Sequence, residues 1–236
     1  MRVVVTRPEN PARRTAERLQ DLGHEPVLLP LTRAIHHPDA AAAALAGPHT
    51  ALAVTSAEAV RVLSALGQRL TPFLDQTLYA VGETTANAAA DAGFRDVRAG
   101  PGTGAGLAEL IAGYAPRLDA PLLYLAGKPR SPKFEEGLHG KGVAFAVSEV
   151  YEMAPIAYDE TFVRGALLDP PADAVLLYSR ETARLFWGFA APHLKKLASM
   201  RLLCLSDNVA EIIPREFHRN IKIARHPDEE GIFALL

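Results

Sequence analysis

The octapeptide LLYSRETA, residues 176–183, joins a continuous apolar run to a polar turn and then to the start of a helical pattern. An apolar run without alternation is typical of a strand that is buried on both faces of a parallel sheet. Ser179 is a favourable helix N-cap, because its hydroxyl can accept a hydrogen bond from a free backbone N–H. The octapeptide therefore predicts a strand, a turn and a helix, which together form the repeating element of an α/β fold.

Ten such apolar runs occur along the chain, and Ala- and Leu-rich segments with helical spacing separate most of them. Strands that alternate with helices predict parallel sheets with right-handed crossovers. The predicted strands cover residues 3–5, 27–29, 51–54, 77–81, 96–99, 122–126, 143–147, 174–178, 202–205 and 221–224.

The octapeptide has a counterpart, LAVTSAEA at residues 52–59, and the two serines, Ser56 and Ser179, lie 123 positions apart. Three further pairs of turn residues have separations of 123, 124 and 126 positions: Arg7 with Arg130, Gly82 with Ser206, and Pro101 with Pro227. This self-similarity predicts two copies of a five-strand α/β unit, at about residues 1–117 and 118–236. Chance alignment of Ala-rich segments is the alternative, and unrelated strand orders in the two sheets would contradict the duplication.

The composition is that of a folded globular protein. The chain has 236 residues, of which 49% are hydrophobic and 22% charged, and its formal net charge is −2. This length allows two domains of roughly 110 residues each. The small net charge, without blocks of like charge, argues against a protein that binds nucleic acid or a membrane surface through a broad basic field. An anionic ligand would have to meet local positive charge.

The cysteine usage and the N-terminal segment indicate a reducing compartment. Cys204 is the single cysteine and lies within an apolar run, so it can form no internal disulfide. The apolar run before Arg7 is too short for a signal peptide, and no apolar stretch reaches the roughly 18 residues of a transmembrane helix. We therefore expect a cytoplasmic protein.

The predicted turns are rich in groups that can bind anions. In open parallel sheets, ligands bind beyond the carboxyl ends of the strands, where helix N-termini offer free N–H groups. A lone Ser or Thr in such a turn is most simply explained as a helix cap. Capping does not explain cations there, because the helix dipole disfavours positive charge at a helix N-terminus. Arg7, Lys128, Arg130 and Arg180 all lie near such places and together indicate anion binding.

Signals for other chemistry are weak. The chain has no Cys-x-x-Cys or His-Glu-x-x-His spacing, and the pair His36-His37 is interpreted as part of a connector. The segment GPGTGA, residues 100–105, fits a loose form of the dinucleotide-binding fingerprint, with Asp119 about the expected distance further on. Pro101 is unfavourable in that tight turn. We therefore expect no metal and no cofactor.

Nine short segments stand in an order that is specific as a set, although each is weak alone. They are VTRP (5–8), PL (30–31), VTSAEAV (54–60), VGETTA (81–86), GLAELI (106–111), LLYLAGKPR (122–130), VYEMAP (150–155), VLLYSRETARLF (175–186) and LSDNVA (205–210). Over almost its whole length, the chain resembles the uroporphyrinogen-III synthase family.

The resemblance implies two similar α/β domains, each a five-stranded parallel sheet flanked by helices. In this family a two-stranded connector joins the domains, and the active site lies in the cleft between them. Residues 1–34 would combine with 156–236 as a discontinuous domain, and residues 38–148 would form an inserted one. Segments 32–38 and 149–155 would be the paired crossover linkers, so each copy would contribute its first two strands to the sheet of the other.

The resemblance also implies a reaction: cyclisation of hydroxymethylbilane to uroporphyrinogen III, with inversion of ring D and loss of water, in heme biosynthesis. The substrate is a linear tetrapyrrole with eight carboxylates, and no cofactor is needed. We expect a monomer without nucleic-acid or membrane partners, and the preceding bilane-forming enzyme is a candidate partner. Two alternatives stay open: a non-catalytic relative that binds a tetrapyrrole or another anion, and a two-domain enzyme of nucleotide or sugar-phosphate chemistry.

The resemblance places Tyr151 at the family's recurrent tyrosine, where it would donate a hydrogen bond to the departing hydroxyl. The alternative is an aromatic side chain that packs a connector. Hydroxyls that match the family's cleft, together with our own candidate cations, complete the predicted substrate-binding set: Arg7, Thr55, Ser56, Gly82, Thr84, Thr85, Lys128, Arg130, Ser179, Arg180 and Asn208. One turn departs from the family, because the second copy has Ser206-Asp207-Asn208 where a Gly-x-x-Thr turn is usual. Asp207 would repel a carboxylate unless it caps its helix.

Overall fold

A computed structural model describes residues 1–114, 119–193 and 195–236 of the chain. The expected boundary between the two copies, at residues 117 and 118, lies outside the described residues. Within them the chain forms eleven strands: β1 (Arg2–Val5), β2 (Glu25–Leu28), β3 (Thr32–His36), β4 (Ala51–Val54), β5 (Thr77–Ala80), β6 (Asp96–Ala99), β7 (Leu122–Lys128), β8 (Phe145–Pro155), β9 (Ala174–Leu177), β10 (Arg201–Cys204) and β11 (Ile221–Ile223).

Ten α-helices lie among these strands in the same described residues. They are α1 (Glu9–Asp21), α2 (Pro38–Leu45), α3 (Ala57–Ser64), α4 (Glu83–Asp91), α5 (Gly104–Ala112), α6 (Lys133–Gly140), α7 (Glu160–Leu167), α8 (Arg180–Ala190), α9 (Asp207–Ala210) and α10 (Glu229–Phe233). Short 3₁₀ helices cover Gly67–Phe73, Ala191–His193 and Arg215–Asn220. Within the described residues, no helix is both long enough and apolar enough to cross a membrane.

The strands form two sheets with the same internal order. The first sheet has the order β11-β10-β9-β1-β2, and all its pairs are parallel. The second has the order β3-β8-β7-β4-β5-β6, and its five strands from β8 to β6 are also parallel. When β3 is left out and the other strands of each copy are numbered from its start, both sheets have the same order: second, first, third, fourth and fifth strand. This shared order supports the duplication, and it is the order expected if each copy contributes its first two strands to the other sheet.

The second sheet has one strand more than expected, because β3 pairs with the long strand β8. The amide of His37 donates to the carbonyl of Val150 at 2.8 Å, and the amide of Ile156 donates to the carbonyl of Leu31 at 3.0 Å. Residue numbers therefore rise along one segment as they fall along the other, which makes this pair antiparallel. These two segments form the expected two-stranded connector.

The chain divides into two compact units. Unit 1 comprises Met1–Arg33 and Ala154–Leu236, and unit 2 comprises Ala34–Met153. The finer expectation, separate domains with bounds at 1–34 plus 156–236 and at 38–148, stays a prediction.

Both sheets are buried on both faces, which explains why their strands are continuously apolar. All residues of β4 and β9 are buried, and the apolar side chains of each unit form one cluster on either side of its sheet. Complete burial of a Leu or Val side chain stabilises the fold by about 1.5–3 kcal/mol. A polar residue in the middle of these strands would therefore be costly.

The strand register corrects one of the residue pairs that indicated the duplication, Arg7 with Arg130. Val3 lies opposite Ala174 in the first sheet, and Leu122 lies opposite Ala51 in the second. Leu122 is therefore the structural equivalent of Val3, and Ala126 rather than Arg130 is the equivalent of Arg7. The sequence spacing was misleading because β7 continues to Lys128 whereas β1 ends at Val5.

Candidate active site

The most developed site in unit 2 lies at the carboxyl ends of β7 and β4, where the strand order of its sheet reverses. Ligands of open α/β sheets bind at such a switch point. A pocket of about 300 Å³ lies there. Its lining residues are Thr55, Val81, Gly104, Tyr124, Gly127, Pro129, Arg130, Ser131, Lys133, Phe134 and Tyr151.

Thr55 and Tyr124 form a hydrogen-bonded pair in this pocket. Thr55 follows β4 directly, and its Oγ1 lies 2.8 Å from the hydroxyl of Tyr124 on the neighbouring strand β7. Tyr124 is buried and meets the ring of Phe134 edge-on, at a centroid distance of 4.8 Å. Burial raises the pKa of Tyr124, although its hydrogen bond with Thr55 opposes the shift. The phenol is therefore a neutral group that can fix the direction of the Thr55 hydroxyl.

Tyr151 reaches the same pocket from β8. It follows a β-bulge, because Ala126 pairs with Glu149 but Gly127 pairs with Tyr151, and Val150 is the extra residue. Val150 and Tyr151 are therefore both buried in one apolar cluster, although successive residues of a regular strand point to opposite faces. Burial raises the pKa of Tyr151, and the nearby Ser56 side chain opposes this shift. At neutral pH the phenol is thus a hydrogen-bond donor and a weak acid.

Ser56 caps helix α3, as predicted, and leads to a charged cluster. Its Oγ accepts a hydrogen bond from the amide of Glu58 at 3.1 Å. The Glu58 carboxylate lies 2.6 Å from Nε2 of His36 and also pairs with Arg61. These contacts tie β3 of the connector to the first turn of α3.

The cations of this site are held by carboxylates. Arg130 donates from Nε to Glu135 and from Nη1 to Glu149, both at 2.6 Å, and Lys128 lies 3.9 Å from Glu149. These bonds raise the pKa of Arg130 and lower that of Glu149. Lys133 lies in the first turn of α6 together with the carboxylates of Glu135 and Glu136. The cations Arg130 and Lys133 line the pocket itself, and carboxylates lie close to them.

The Gly82–Thr85 turn serves mainly as structure. Gly82 is the N-cap of α4, Thr84 is exposed and Thr85 is buried. A Cβ at Gly82 would lie 3.1 Å from Cα of Gly102, which is a tight contact, so glycine favours close backbone packing in this turn. A Cβ at Gly106 would collide with Pro101, which indicates that the glycines after β6 also serve packing. A phosphate-binding role is not needed to explain these glycines.

The switch point of unit 1, between β1 and β9, contains an ion pair. Arg7 follows β1, and its Nη1 lies 2.8 Å from the carboxylate of Glu229. The Arg7 guanidinium also lies over the ring of Tyr178, 4.4 Å from the centroid. Burial raises the pKa of Tyr178 to about 12. This ion pair lies at the position in unit 1 that corresponds to the pocket of unit 2.

In unit 1, the octapeptide LLYSRETA contains the N-cap and the first turn of helix α8. Ser179 and Thr182 form a capping box at the start of α8. Arg180 donates from Nη1 to Oδ1 of Asn208 at 2.7 Å and pairs with Glu211 at 2.8 Å. The two predicted ligands Arg180 and Asn208 are therefore in contact, with a carboxylate on the same guanidinium. Asp207 lies in the first turn of α9, after the N-cap Ser206.

Comparison with known proteins identifies the family. The family model "Uroporphyrinogen-III synthase HemD" matches residues 13–234. The chain belongs to the uroporphyrinogen-III synthase family. Its members are cyclising hydro-lyases of heme biosynthesis that act on a tetrapyrrole substrate.

Two solved synthase structures share the fold. Uroporphyrinogen-III synthetase from Helicobacter pylori is 19% identical, with a TM-score of 0.69 over 100% of this chain and 98% of that one. A mutant synthase from Thermus thermophilus is 21% identical, with a TM-score of 0.54 over 100% of this chain and 96% of that one. None of the curated proteins compared with the chain matched it.

The structure brings together only some of the residues predicted for the synthase site. Thr55, Arg130 and Tyr151 line one pocket, and Ser56 is next to it through Thr55. Sequence reasoning missed several lining residues, above all Tyr124 and Gly127. A signal for Tyr124 was present, because a tyrosine inside a continuously apolar strand normally needs a hydrogen-bond partner for its hydroxyl. Gly127 gave no comparable signal, because its role depends on the bulge in β8.

Proposed function

We propose that this chain closes hydroxymethylbilane to uroporphyrinogen III, and that the pocket of unit 2 holds the reacting end of the substrate. The observation that carries the proposal is the Tyr151 side chain, buried beside Thr55 and near the Arg130 guanidinium in one pocket. Membership of the synthase family supports the overall reaction. The residue roles are our own proposal.

Tyr151 acts in the first step as a hydrogen-bond donor. The C–O bond of the hydroxymethyl group breaks and the pyrrole nitrogen loses its N–H proton, which leaves a neutral azafulvene electrophile. The departing hydroxide takes up a proton, so that water is released overall. Burial raises the pKa of Tyr151, so the phenol stays protonated at neutral pH. A phenol of this kind stabilises developing negative charge on oxygen without a full proton transfer. We therefore assign Tyr151 to assistance of hydroxide departure.

The rest of the pocket constrains the electrophile. Free bilane closes spontaneously without inversion, so the protein must direct the substituted carbon of ring D to the electrophilic carbon. The resulting spiro intermediate then fragments and recloses with ring D inverted. Such control comes from proximity and orientation. Thr55, oriented by Tyr124, and the first turn of α6 supply fixed donors for it.

Local charge binds the carboxylates of the substrate. The chain as a whole has a net charge of −2, so attraction must come from local cations such as Arg130 and Lys133, which line the pocket, and Lys128, which is adjacent in sequence to lining residues Gly127 and Pro129. The first-turn N–H groups of α6 add a favourable partial charge. The other candidate contacts stay proposals: Arg7, Ser56, Gly82, Thr84, Thr85, Ser179, Arg180 and Asn208.

The test is a cyclisation assay with freshly prepared hydroxymethylbilane and chromatographic separation of the isomers. We expect uroporphyrinogen III from the protein and isomer I from buffer alone or from heat-denatured protein. Isomer I alone from the native protein would reject the proposed function. Uroporphyrinogen III from the native protein but also from the denatured sample would mean that the assay does not report on the folded chain.

We further propose that the protein acts as a cytoplasmic monomer and receives its substrate from the bilane-forming enzyme. The instability of free bilane supports a short transfer between the two enzymes, and the single buried thiol of Cys204 suits a reducing compartment. Sedimentation of the protein alone and with that enzyme would test both expectations. A stable dimer of the chain by itself would contradict the monomer.

A further inference from the structure

The contact between Tyr151 and Gly127 is closer than any side chain would permit. Gly127 lies in β7 at the bulge, and Tyr151 is its partner in β8. A Cβ built on Gly127 would lie 2.6 Å from Cε2 of Tyr151 and closer still to its Cζ and hydroxyl oxygen. Real Cβ atoms essentially never approach another heavy atom so closely. The tyrosine ring therefore lies directly on the backbone of Gly127.

The backbone conformation of Gly127 does not itself require glycine. The residues with positive φ in the described part of the chain are Gly23, Gly67, Gly93, Gly102 and Gly142, and Gly127 is not among them. An alanine could therefore adopt the same backbone angles. What excludes it is the reactive end of Tyr151.

We propose that Gly127 is a positioning residue, whose missing side chain lets the Tyr151 hydroxyl reach its place in the pocket of unit 2. This inference rests on the proposed function. Three features converge on it: the β8 bulge turns Tyr151 inward, the bare Gly127 backbone receives its ring, and both residues line the pocket with Thr55. A methyl group at Gly127 would displace the end of the ring that carries the hydroxyl.

The substitution Gly127→Ala tests this directly with hydroxymethylbilane kinetics. We expect kcat to fall about 100-fold, as for loss of the hydroxyl in Tyr151→Phe, because both changes remove the same donor. The double variant Gly127→Ala/Tyr151→Phe should lie within about threefold of Tyr151→Phe, since residues that act as a unit are not additive. A kcat for Gly127→Ala within threefold of the parent, or a double variant that shows the product of both losses, would overturn the proposal.

Gly137→Ala provides a matched control in the same unit. Its Cβ would lie 2.7 Å from Cβ of Ala108, so it overpacks the contact between α6 and α5 and leaves Tyr151 untouched. Overpacking of this kind lowers Tm by about 5 °C. We expect kcat within about twofold of the parent. A kcat loss in Gly137→Ala equal to that of Gly127→Ala would show that the effect is general strain, which also overturns the proposal.

A stability measurement tests the contact without turnover. We expect Gly127→Ala to lower Tm and Tyr151→Ala in the same background to restore it to the Tm of Tyr151→Ala alone, since the clashing ring is then absent. A Tm loss that Tyr151→Ala does not restore, or no Tm loss, would overturn the contact. If the parent protein forms only isomer I, the proposed function fails, whereas this Tm result still decides the role of Gly127.

Discussion

The two units have the same strand order but differ at the point where that order reverses. In unit 1, the Arg7 guanidinium lies over the ring of Tyr178 at this point and pairs with the carboxylate of Glu229. In unit 2, Tyr124 and Tyr151 line a pocket of about 300 Å³. The two copies have therefore kept the same strand order, although the side chains at their switch points differ. We infer that unit 2 carries the reacting groups, whereas the candidate contacts in unit 1 stay proposals for substrate binding.

Strand length accounts for part of this difference. Strand β1 ends at Val5, whereas its equivalent β7 continues through the bulge to Lys128. The extension brings Gly127 opposite Tyr151 and places the cations of the following turn at the pocket rim. In unit 1 the turn after β1 is shorter, and Arg7 meets the first turn of α10 instead.

The largest expected effect comes from loss of the unit 2 phenol. We expect Tyr151→Phe to lower kcat about 100-fold, because it removes the hydrogen bond to the departing oxygen and leaves the ring in place. KM should change by less than about threefold. Steady-state assays with hydroxymethylbilane measure both constants.

The control for this change is the phenol of unit 1. Tyr178→Phe keeps the ring under the Arg7 guanidinium and should leave kcat within about twofold. If Tyr178→Phe lost as much activity as Tyr151→Phe, the assignment of the chemistry to unit 2 would be wrong.

The next effect is an alkaline loss of stability in unit 1. Burial raises the pKa of Cys204 from 9.0 to about 12. As pH rises, the thiol therefore loses its proton in the unfolded chain before it does so in the folded protein. The stability that the buried, protonated thiol contributes is complete below pH 9 and is lost as pH rises toward 12. The free energy of unfolding falls by up to about 1.4 kcal/mol per pH unit in this range. Tyr178 adds a similar loss that begins near pH 10, the ordinary pKa of a tyrosine side chain.

The variant Cys204→Ala isolates the thiol. By strand register, Ala80 of β5 is the unit 2 equivalent of Cys204, so alanine suits the position. Between about pH 8.5 and 10.5, the unfolding free energy of the parent should fall about 2 kcal/mol more than that of the variant. Denaturant unfolding at the two pH values measures the difference. Equal slopes for the two proteins would mean that the thiol ionises without hindrance in the folded state.

Sequence patterns predicted the strands well where both faces are buried, and less well where geometry is irregular. The runs at residues 51–54 and 174–178 correspond to β4 and β9, because continuous burial leaves a continuous apolar pattern. The predicted run at 143–147 marks only the start of β8, which continues to Pro155. The rest of β8 contains polar and apolar residues without regular alternation, because the bulge and the pairing with β3 interrupt the regular strand.

The candidate site was only partly predictable for a similar reason. Tyr151 and Thr55 came from a resemblance in local segments, and they do meet in one pocket. The pairing of Arg7 with Glu229 joins residues that are 222 positions apart, and no local pattern carries that information. The dependence of Tyr151 on Gly127 arises from strand register, which also cannot be read from either segment alone.

The third effect concerns the hydroxyls at the two switch points. Thr55→Val removes a donor that Tyr124 orients in the pocket, and we expect KM to rise about tenfold, which corresponds to one lost hydrogen bond of about 1.4 kcal/mol. Thr6 in unit 1 instead donates to the carbonyl of Leu176 at 2.7 Å and is fully buried. Thr6→Val should therefore lower the unfolding free energy by about 1 kcal/mol and leave KM unchanged. If Thr6→Val raised KM as much as Thr55→Val, the assignment of substrate binding to Thr55 and of a structural role to Thr6 would be wrong.

The smallest expected effect concerns the cations. Arg130→Gln should raise KM about fivefold at low salt, because it removes a rim cation and frees the carboxylates of Glu135 and Glu149 to repel the substrate. The effect should shrink as salt screens these exposed charges. Arg7→Gln should change KM by less than about twofold, because its guanidinium is already paired with Glu229. KM measured against ionic strength for both variants decides the point. A larger rise for Arg7→Gln would mean that a substrate carboxylate displaces Glu229, so that unit 1 would bind the polyanion as directly as unit 2.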